Sequence, residues 1–507
     1  MIVYAVAGVL AFVAILCSIL PEKKTRFPKE YLHDNGRPLG LLEDALRRFH
    51  DENGFLILAN ALVLRNMKPL QESVVKKALE LLAERHPMLR ICIRKNNDVD
   101  YCFQKRHNVL VDLRQLDTSN WRNVMEESLL EKFDVENGPL WRLTFLPNAR
   151  YETETGSDVN DTSFPHECIC IFCFHHSIID GTSYSRLFAE FVHHLNKLNK
   201  NEEPKVTATP MLPPCDVYVD EVIQIKWYHI AMKLAVKLLC FIPGLPKFIK
   251  TAMGEKENAF SRKHGMEYQR NPQIQPRTKI IPIEFTKEET TTFLRRCKEW
   301  QTTVQGAVQT AASVAMVDMM EEREFEVEAT VTVNSRPFFR TKVPNEYVGL
   351  YFCRLSCRNK ILSSPNPEQF WKIGSIIPKF RSSNRKSSKH LEGMKMSFIM
   401  RPVFTQMSRE GESDRGGRDR TSLLVFSNLG YCKFLDGTPD EDVILRAMYG
   451  CSAEHQHGPA IFGNNLATFN GKLFWTIVYY SNLVSDATAQ KCADLVKETI
   501  LNAIKNR

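Results

Sequence analysis

Residues 2 to 20, IVYAVAGVLAFVAILCSIL, run without a charge, and nineteen such positions are what a helix needs to cross a hydrocarbon core of about 30 Å. No basic residue precedes the run, and Glu22-Lys23-Lys24-Thr25-Arg26 follows it. A cleaved signal peptide has basic residues in front and a small-x-small site behind. Residues 1–21 are therefore expected to be an uncleaved membrane anchor, with a signal peptide as the alternative. Lys23, Lys24 and Arg26 would hold the body on the cytoplasmic side of the endoplasmic reticulum or another internal membrane; cleavage would instead open a secretory route. A second apolar stretch, Val222 to Lys250, is interrupted by lysines at 226, 233, 237, 247 and 250. That pattern predicts an amphipathic helix, lying on a membrane interface or packed on the domain.

Elsewhere the pattern alternates. Val74, Ala78, Leu81 and Leu82 fall at helical spacing, as do Leu187, Phe191, Val192 and Leu195, and Thr286-Lys287-Glu288-Glu289 is a capping box that opens another helix. Apolar runs predict strands at 89–94, 140–146, 168–174, 279–285, 328–334, 422–427 and 473–480. The class is α/β with mixed sheets. Pro-rich TATPMLPPC at 207–215 and a polar run at 256–277 flank the second apolar stretch, and such shifts mark linkers. The division expected is a lobe at 35–215, a linker at 216–277 and a lobe at 278–507. RSSNRKSSKH (381–390) and SREGESDRGGRDR (408–420) read as loops.

Composition narrows the class without naming a function. A chain of 507 residues, 43% hydrophobic and 25% charged, fits two or three folded domains and excludes a disulfide knot, a mostly disordered chain or a polytopic membrane protein. The net charge of +8 forms no basic face interleaved with aromatics, so nucleic acid is not an expected partner. It gathers near the two membrane candidates instead. Cys168, Cys170 and Cys173 share one apolar run, and a C-x-x-C without a second pair is not a zinc site. They read as buried thiols of a reducing compartment.

The segment richest in chemistry is Phe172-Cys173-Phe174-His175-His176-Ser177-Ile178-Ile179-Asp180-Gly181-Thr182, between a buried strand and a helix. A histidine at a strand end can take and return a proton near neutrality, since its ordinary pKa is about 6.5. Adjacent histidines in extended chain point to opposite faces, so one metal cannot easily collect both. Asp180 lies in the turn, where a carboxylate can hold the backbone or pair with an arginine. Gly181 permits a tight turn or a close approach. Of the remaining clusters, His193-His194 read as surface or packing residues of a helix. Glu454-His455-Gln456-His457 has an H-x-H spacing, but no partner cluster is evident, and no metal is expected.

His175-His176-x-x-x-Asp180-Gly181 resembles the H-H-x-x-x-D-G signature of the chloramphenicol acetyltransferase-like superfamily, which includes condensation domains, alcohol acetyltransferases and wax ester synthases. Further segments match in order. Arg85-His86-Pro87-Met88-Leu89-Arg90 resembles R-H-P-x-L-R. Phe133-Asp134 with Gly138-Pro139-Leu140-Trp141-Arg142 resembles F-D-x-x-x-G-P-L-x-R. Val333-Asn334-Ser335-Arg336-Pro337 with Tyr347-Val348-Gly349-Leu350 is similar to the arginine-bearing strand and V-G-x-x element. Ser427-Asn428-Leu429-Gly430 is similar to S-N-x-G.

The resemblance implies two related lobes in a V around a central tunnel, here preceded by an N-terminal hydrophobic helix. It implies an acyltransferase that moves an acyl group from a thioester, acyl-CoA favoured, to an alcohol or amine. O-acyl transfer is favoured over N-acyl transfer. His176 would be the general base and His175 secondary. Asp180 would pair with Arg336 of the second lobe, and Ser427 and Asn428 are candidates for the oxyanion site or the tunnel lining. No cofactor is expected beyond acyl-CoA as co-substrate. The acceptor is expected to be lipophilic, given the anchor, and a carrier protein could supply the donor. A non-catalytic binding or scaffold module, or a thioester or ester hydrolase, are the alternatives.

Overall fold

The computed structural model describes residues 36–53, 56–96, 101–151, 163–224, 226, 229, 231, 259–264, 276–386, 389–397, 422–438, 440–455, 458 and 460–505. The apolar run 2–20, most of 222–250, the polar run 408–420 and His457 lie outside these residues. Among the described residues no helix is long and apolar enough to cross a membrane.

The first half contributes strands β1 (Gly36–Pro38), β2 (Ile57–Asn66), β3 (Ile91–Lys95), β4 (Tyr101–Lys105), β5 (Leu113–Gln115), β6 (Trp141–Leu146) and β7 (His166–His175). Its helices are α1 (Leu41–Asn53), α2 (Glu72–Arg85), α3 (Trp121–Ser128), α4 (Gly181–Asn199) and α5 (Cys215–Val222). The second half contributes β8 (Thr278–Glu284), β9 (Glu324–Asn334), β10 (Phe352–Leu362), β11 (Ser422–Tyr431), β12 (Val443–Ser452), β13 (Ala460–Phe469) and β14 (Lys472–Tyr480). Its main helices are α6 (Lys287–Glu299), α7 (Val304–Met320), α8 (Pro367–Lys386) and α9 (Asp486–Ile504).

Two mixed sheets form the core. One runs β12-β2-β7-β6-β5 and the other β10-β9-β11-β13-β14-β8; β1-β4-β3 make a small third sheet. The strand that ends at the paired histidines is central to the first sheet. Its residues from Cys168 to His175 are all buried, which explains an apolar run without alternation. Phe172 packs on Phe188 and Phe191 of α4 with ring centroids 5.1 Å apart in both pairs. Cys168, Cys170 and Cys173 are buried in this strand, and burial pushes the Cys170 and Cys173 thiols up.

In the second sheet the covering helix α7 is buried almost throughout, as a helix whose small and apolar residues surround it and whose one charge, Asp318, falls near its end can be. The α6 capping box forms in full, with Thr286 Oγ1 accepting from Glu289 N at 3.1 Å and Glu289 Oε2 accepting from Thr286 N at 2.8 Å. All seven strands expected from the sequence are present.

Three features depart from the expectations. The polar run expected as a loop at 381–390 is helical over 381–386, as the end of α8, and again at 389–390. It holds no Gly or Pro to stop a helix, and polarity alone does not end one. Strands β2, β4, β10, β12 and β13, and the three-residue β1 and β5, lie outside the runs that predict strands. Finally, β12 belongs by sequence to the second half but pairs with β2, in register from Val443↔Asn66 to Ser452↔Leu58.

Candidate active site

β7 ends at His175, and the chain makes one tight turn before Asp180 caps α4. The alternation of the strand sends the two histidine rings apart. His175 turns toward α1, its ring 4.4 Å from that of His50. Its Nδ1 accepts from Ser177 N at 3.1 Å and from the Ser177 hydroxyl at 2.7 Å, which places the ring proton on Nε2. Burial, with help from His50, His176 and Arg47, holds His175 well below the usual histidine range. It is a neutral ring that shapes the turn.

His176 turns the other way. Its Nδ1 donates to the carbonyl of Ile179 at 2.8 Å, which leaves the lone pair on Nε2 as the ring's basic atom. The ring stacks on Phe352 of β10, with centroids 5.4 Å apart and planes 14° from parallel. Burial, reinforced by the positive charge of Arg354, lowers its pKa against the raising effect of the Ile179 bond and Asp180. A neutral imidazole of this tautomer can accept a proton from a molecule in the cavity it faces.

That cavity lies between the two sheets and is open to solvent, with about 650 Å³ of space when the solvent at its mouth is included. Leu58 and Asn60 of β2 and Cys451 and Ser452 of β12 wall it on one side. Thr332 of β9, Phe352 and Arg354 of β10, Val425 and Ser427 of β11, and Asn464 and Asn465 of β13 wall it on the other.

Asp180 does not face the cavity. Its Oδ1 accepts from Ser183 N at 2.9 Å and caps α4. Its Oδ2 accepts from Arg336 Nη1 at 2.8 Å and from Tyr351 N at 2.7 Å. Arg336 also donates to Ser183 Oγ at 2.8 Å, and Gly349 N donates to that same hydroxyl at 3.1 Å. Both charged side chains are at most 3% exposed. The histidine turn is thus fastened across the lobes to the segment that ends β9 and opens β10.

Gly181 lines the cavity. A Cβ there would stand 3.0 Å from Leu429 Cδ2, 3.8 Å from the Tyr184 hydroxyl and 3.9 Å from Ser427 Oγ. Ser427 also lines the cavity, beside the Tyr184 hydroxyl. Asn428, one residue on, points elsewhere, because Asn428 Oδ1 accepts from Gly430 N at 2.8 Å and fixes the turn at that left-handed glycine. The fold therefore brings together His176, Gly181 and Ser427, keeps His175, Asp180 and Arg336 behind them, and turns Asn428 away. Phe352, Arg354 and Tyr184 were not singled out from the sequence; the first two sit on a strand that was not expected.

The remaining motif residues hold the frame. His86 Nε2 lies 2.9 Å from Glu190 Oε2, and His194 lies 3.4 Å from Glu190 Oε1. Arg142 donates to the carbonyl of Ser128 at 2.8 Å. Trp141 Nε1 donates to Leu89 O at 2.8 Å. His455 Nδ1 lies 3.1 Å from Thr278 Oγ1.

Two sheets around one cavity, with a histidine turn latched between them, define a condensation- and acyltransferase-type fold. Residues 57–212, less than half of the chain, match the Condensation domain family. Trichothecene 15-O-acetyltransferase from Fusarium sporotrichioides superposes with a TM-score of 0.64 at 12% identity, covering 96% of this chain and all 100% of that one. Polyketide synthase associated protein 5 from Mycobacterium tuberculosis gives 0.57 at 12% identity, covering 91% and 98%. Polyketide synthase PksN from Bacillus subtilis (strain 168) is 25% identical over 151 residues, 28% of this chain and 2% of that relative's length.

Proposed function

We propose that the protein transfers an acyl group from a thioester, acyl-CoA in the first instance, to an alcohol or amine, with His176 as general base. The reading is carried by the tautomer of His176: a backbone carbonyl holds Nδ1–H, and the lone pair on Nε2 belongs to a ring that borders the cavity. Nε2 takes the proton of the acceptor hydroxyl as its oxygen forms a bond to the thioester carbonyl carbon. The tetrahedral intermediate collapses with cleavage of the C–S bond, and the imidazolium returns its proton to the leaving thiolate. Positioning two substrates beside a base is sufficient for this chemistry, and no nucleophilic side chain is required. Ser427 is the candidate donor to the oxyanion.

Purified full-length protein, assayed by mass spectrometry with a panel of acyl-CoAs and alcohols, should form an ester. His176→Ala should lower kcat by roughly 10²- to 10⁴-fold. Unchanged turnover in that variant would refute the base assignment, and free acid as the product would identify a hydrolase. The condensation-family match favours a second donor, an acyl group on a carrier protein; exchanging acyl-CoA for acyl-pantetheinyl carrier in the same assay separates the two. The run 2–20 and the stretch 222–250 support membrane attachment and a lipophilic acceptor. Loss of both attachment and activity on deletion of the two segments is the expected outcome.

A further inference from the structure

β10 is the edge strand of its sheet, and Arg354, Arg358 and Lys360 lie along its exposed face. Two of these cations are matched by acids of β9: Arg358 Nε lies 2.7 Å from Glu328, and Lys360 Nζ lies 3.1 Å from Glu324. Arg354 is different. Its register partner is Thr332, whose hydroxyl is donated to the carbonyl of Phe426 at 3.0 Å. Among the described residues no carboxylate lies within ion-pair distance of Arg354. Two positions along the strand from Phe352, it shares that residue's face and borders the cavity with it.

Its place is costly for the chemistry. A fixed positive charge beside His176 opposes the imidazolium that a general base must become. That opposition disappears if an anion sits on the guanidinium during turnover. The phosphates of CoA are held far from the thioester by the pantetheine arm, whereas Arg354 lines the same cavity as His176, so an anion that pairs with it there is one carried near the reacting atoms. A carboxylate suits a guanidinium fork, which binds it through two parallel hydrogen bonds.

We propose that Arg354 is a specificity residue that binds a carboxylate at the reacting end of a substrate. The carboxylate belongs either to a dicarboxylic acyl thioester or to a hydroxy-acid acceptor. The proposal rests on the acyl-transfer reading of the same cavity and deepens it. Binding of the carboxylate neutralises Arg354 and restores the proton affinity of His176, so substrate charge and base strength are coupled.

The test uses the full-length protein, as wild type, His176→Ala, Arg354→Gln and Arg354→Glu, and two matched pairs of probes. Succinyl-CoA and butyryl-CoA differ by a carboxylate on the acyl chain; 4-hydroxybutyrate and 1-butanol differ by a carboxylate on the acceptor. Calorimetric affinities should favour the carboxylate member of one pair by roughly tenfold or more, as a charged hydrogen bond allows. Arg354→Gln should abolish that preference and Arg354→Glu reverse it, while the uncharged member of the pair keeps its affinity. The pair that responds identifies the source. Equal affinities within both pairs, no binding of either carboxylate, or an equal loss for both members in Arg354→Gln overturns the proposal. Affinity is also read in His176→Ala, so a preserved preference without turnover in wild type would sink the acyl-transfer reading and leave the carboxylate site standing.

Discussion

His176 is oriented by a backbone carbonyl rather than by a carboxylate, so nothing bonded to Nδ1 adds negative charge to strengthen the base. Burial and Arg354 both disfavour its charged form. The acid limb of kcat/KM should therefore have its midpoint below the ordinary histidine value of about 6.5, with activity retained as the pH falls through that value and lost only lower down. A midpoint at or above 6.5 contradicts this placement. The same shifts enter stability. His175 and His176 are neutral in the native state, while the unfolded chain takes up protons below about 6.5; their contribution is complete above that pH and shrinks as the pH falls below it. Gly181 sets a second residue-scale limit. Gly181→Ala places its Cβ against the movable end of Leu429 and should be tolerated, whereas Gly181→Leu fills the space beside Ser427 and Tyr184. Loss of turnover in Gly181→Leu with an unchanged denaturation midpoint is the expected pair of measurements.

At the scale of elements, the turn carrying His176 is held by a latch that joins the start of α4 to the start of β10. Asp180 and Arg336 are buried together, so removing either leaves a charge without its partner. Asp180→Ala and Arg336→Ala should each cost about 3–5 kcal/mol in chemical denaturation, and the double variant should cost less than the sum of the two. Additive losses would mean that the two side chains act separately. This latch could be read in the sequence because the segments around Asp180 and Arg336 resemble motifs of one family, and that resemblance implies the pair. The cavity wall opposite could not. β2 is a continuous run, ILANALVLRN, whose apolar residues suit a buried helix as well as a strand. β13 carries Gly463, Asn464 and Asn465, residue types that strands usually avoid, and those same three residues line the cavity. Asn428 shows the limit from the other side. Its motif is present, yet strand alternation and the turn at Gly430 direct its side chain away from the space that Ser427 enters.

For the whole molecule the decisive strand is β12, which the second half of the chain lends to the first sheet. It covers β2 along its length, and two further contacts fasten its entry. Asn196 of α4 accepts from Asp442 N and Val443 N at 2.8 and 2.9 Å and donates to Val443 O at 2.8 Å, while Met67 N donates to Asp442 O at 2.9 Å. A polypeptide ending at residue 222 would present the outer backbone groups of β2, an apolar and buried strand, as an open edge. Such edges pair with other chains. The first half expressed alone should therefore aggregate, although it holds both histidines and Asp180, and co-expression with residues 276–507 should return a soluble complex. Asn196→Ala in the intact chain is the milder version of the same experiment. It strips the clamp without removing the strand, and amide exchange should quicken in β12 and in β2 while the β9–β10 ladder keeps its protection. If the isolated first half proved soluble and monomeric, the contribution of β12 to the first sheet would be dispensable and the two halves would be independent domains.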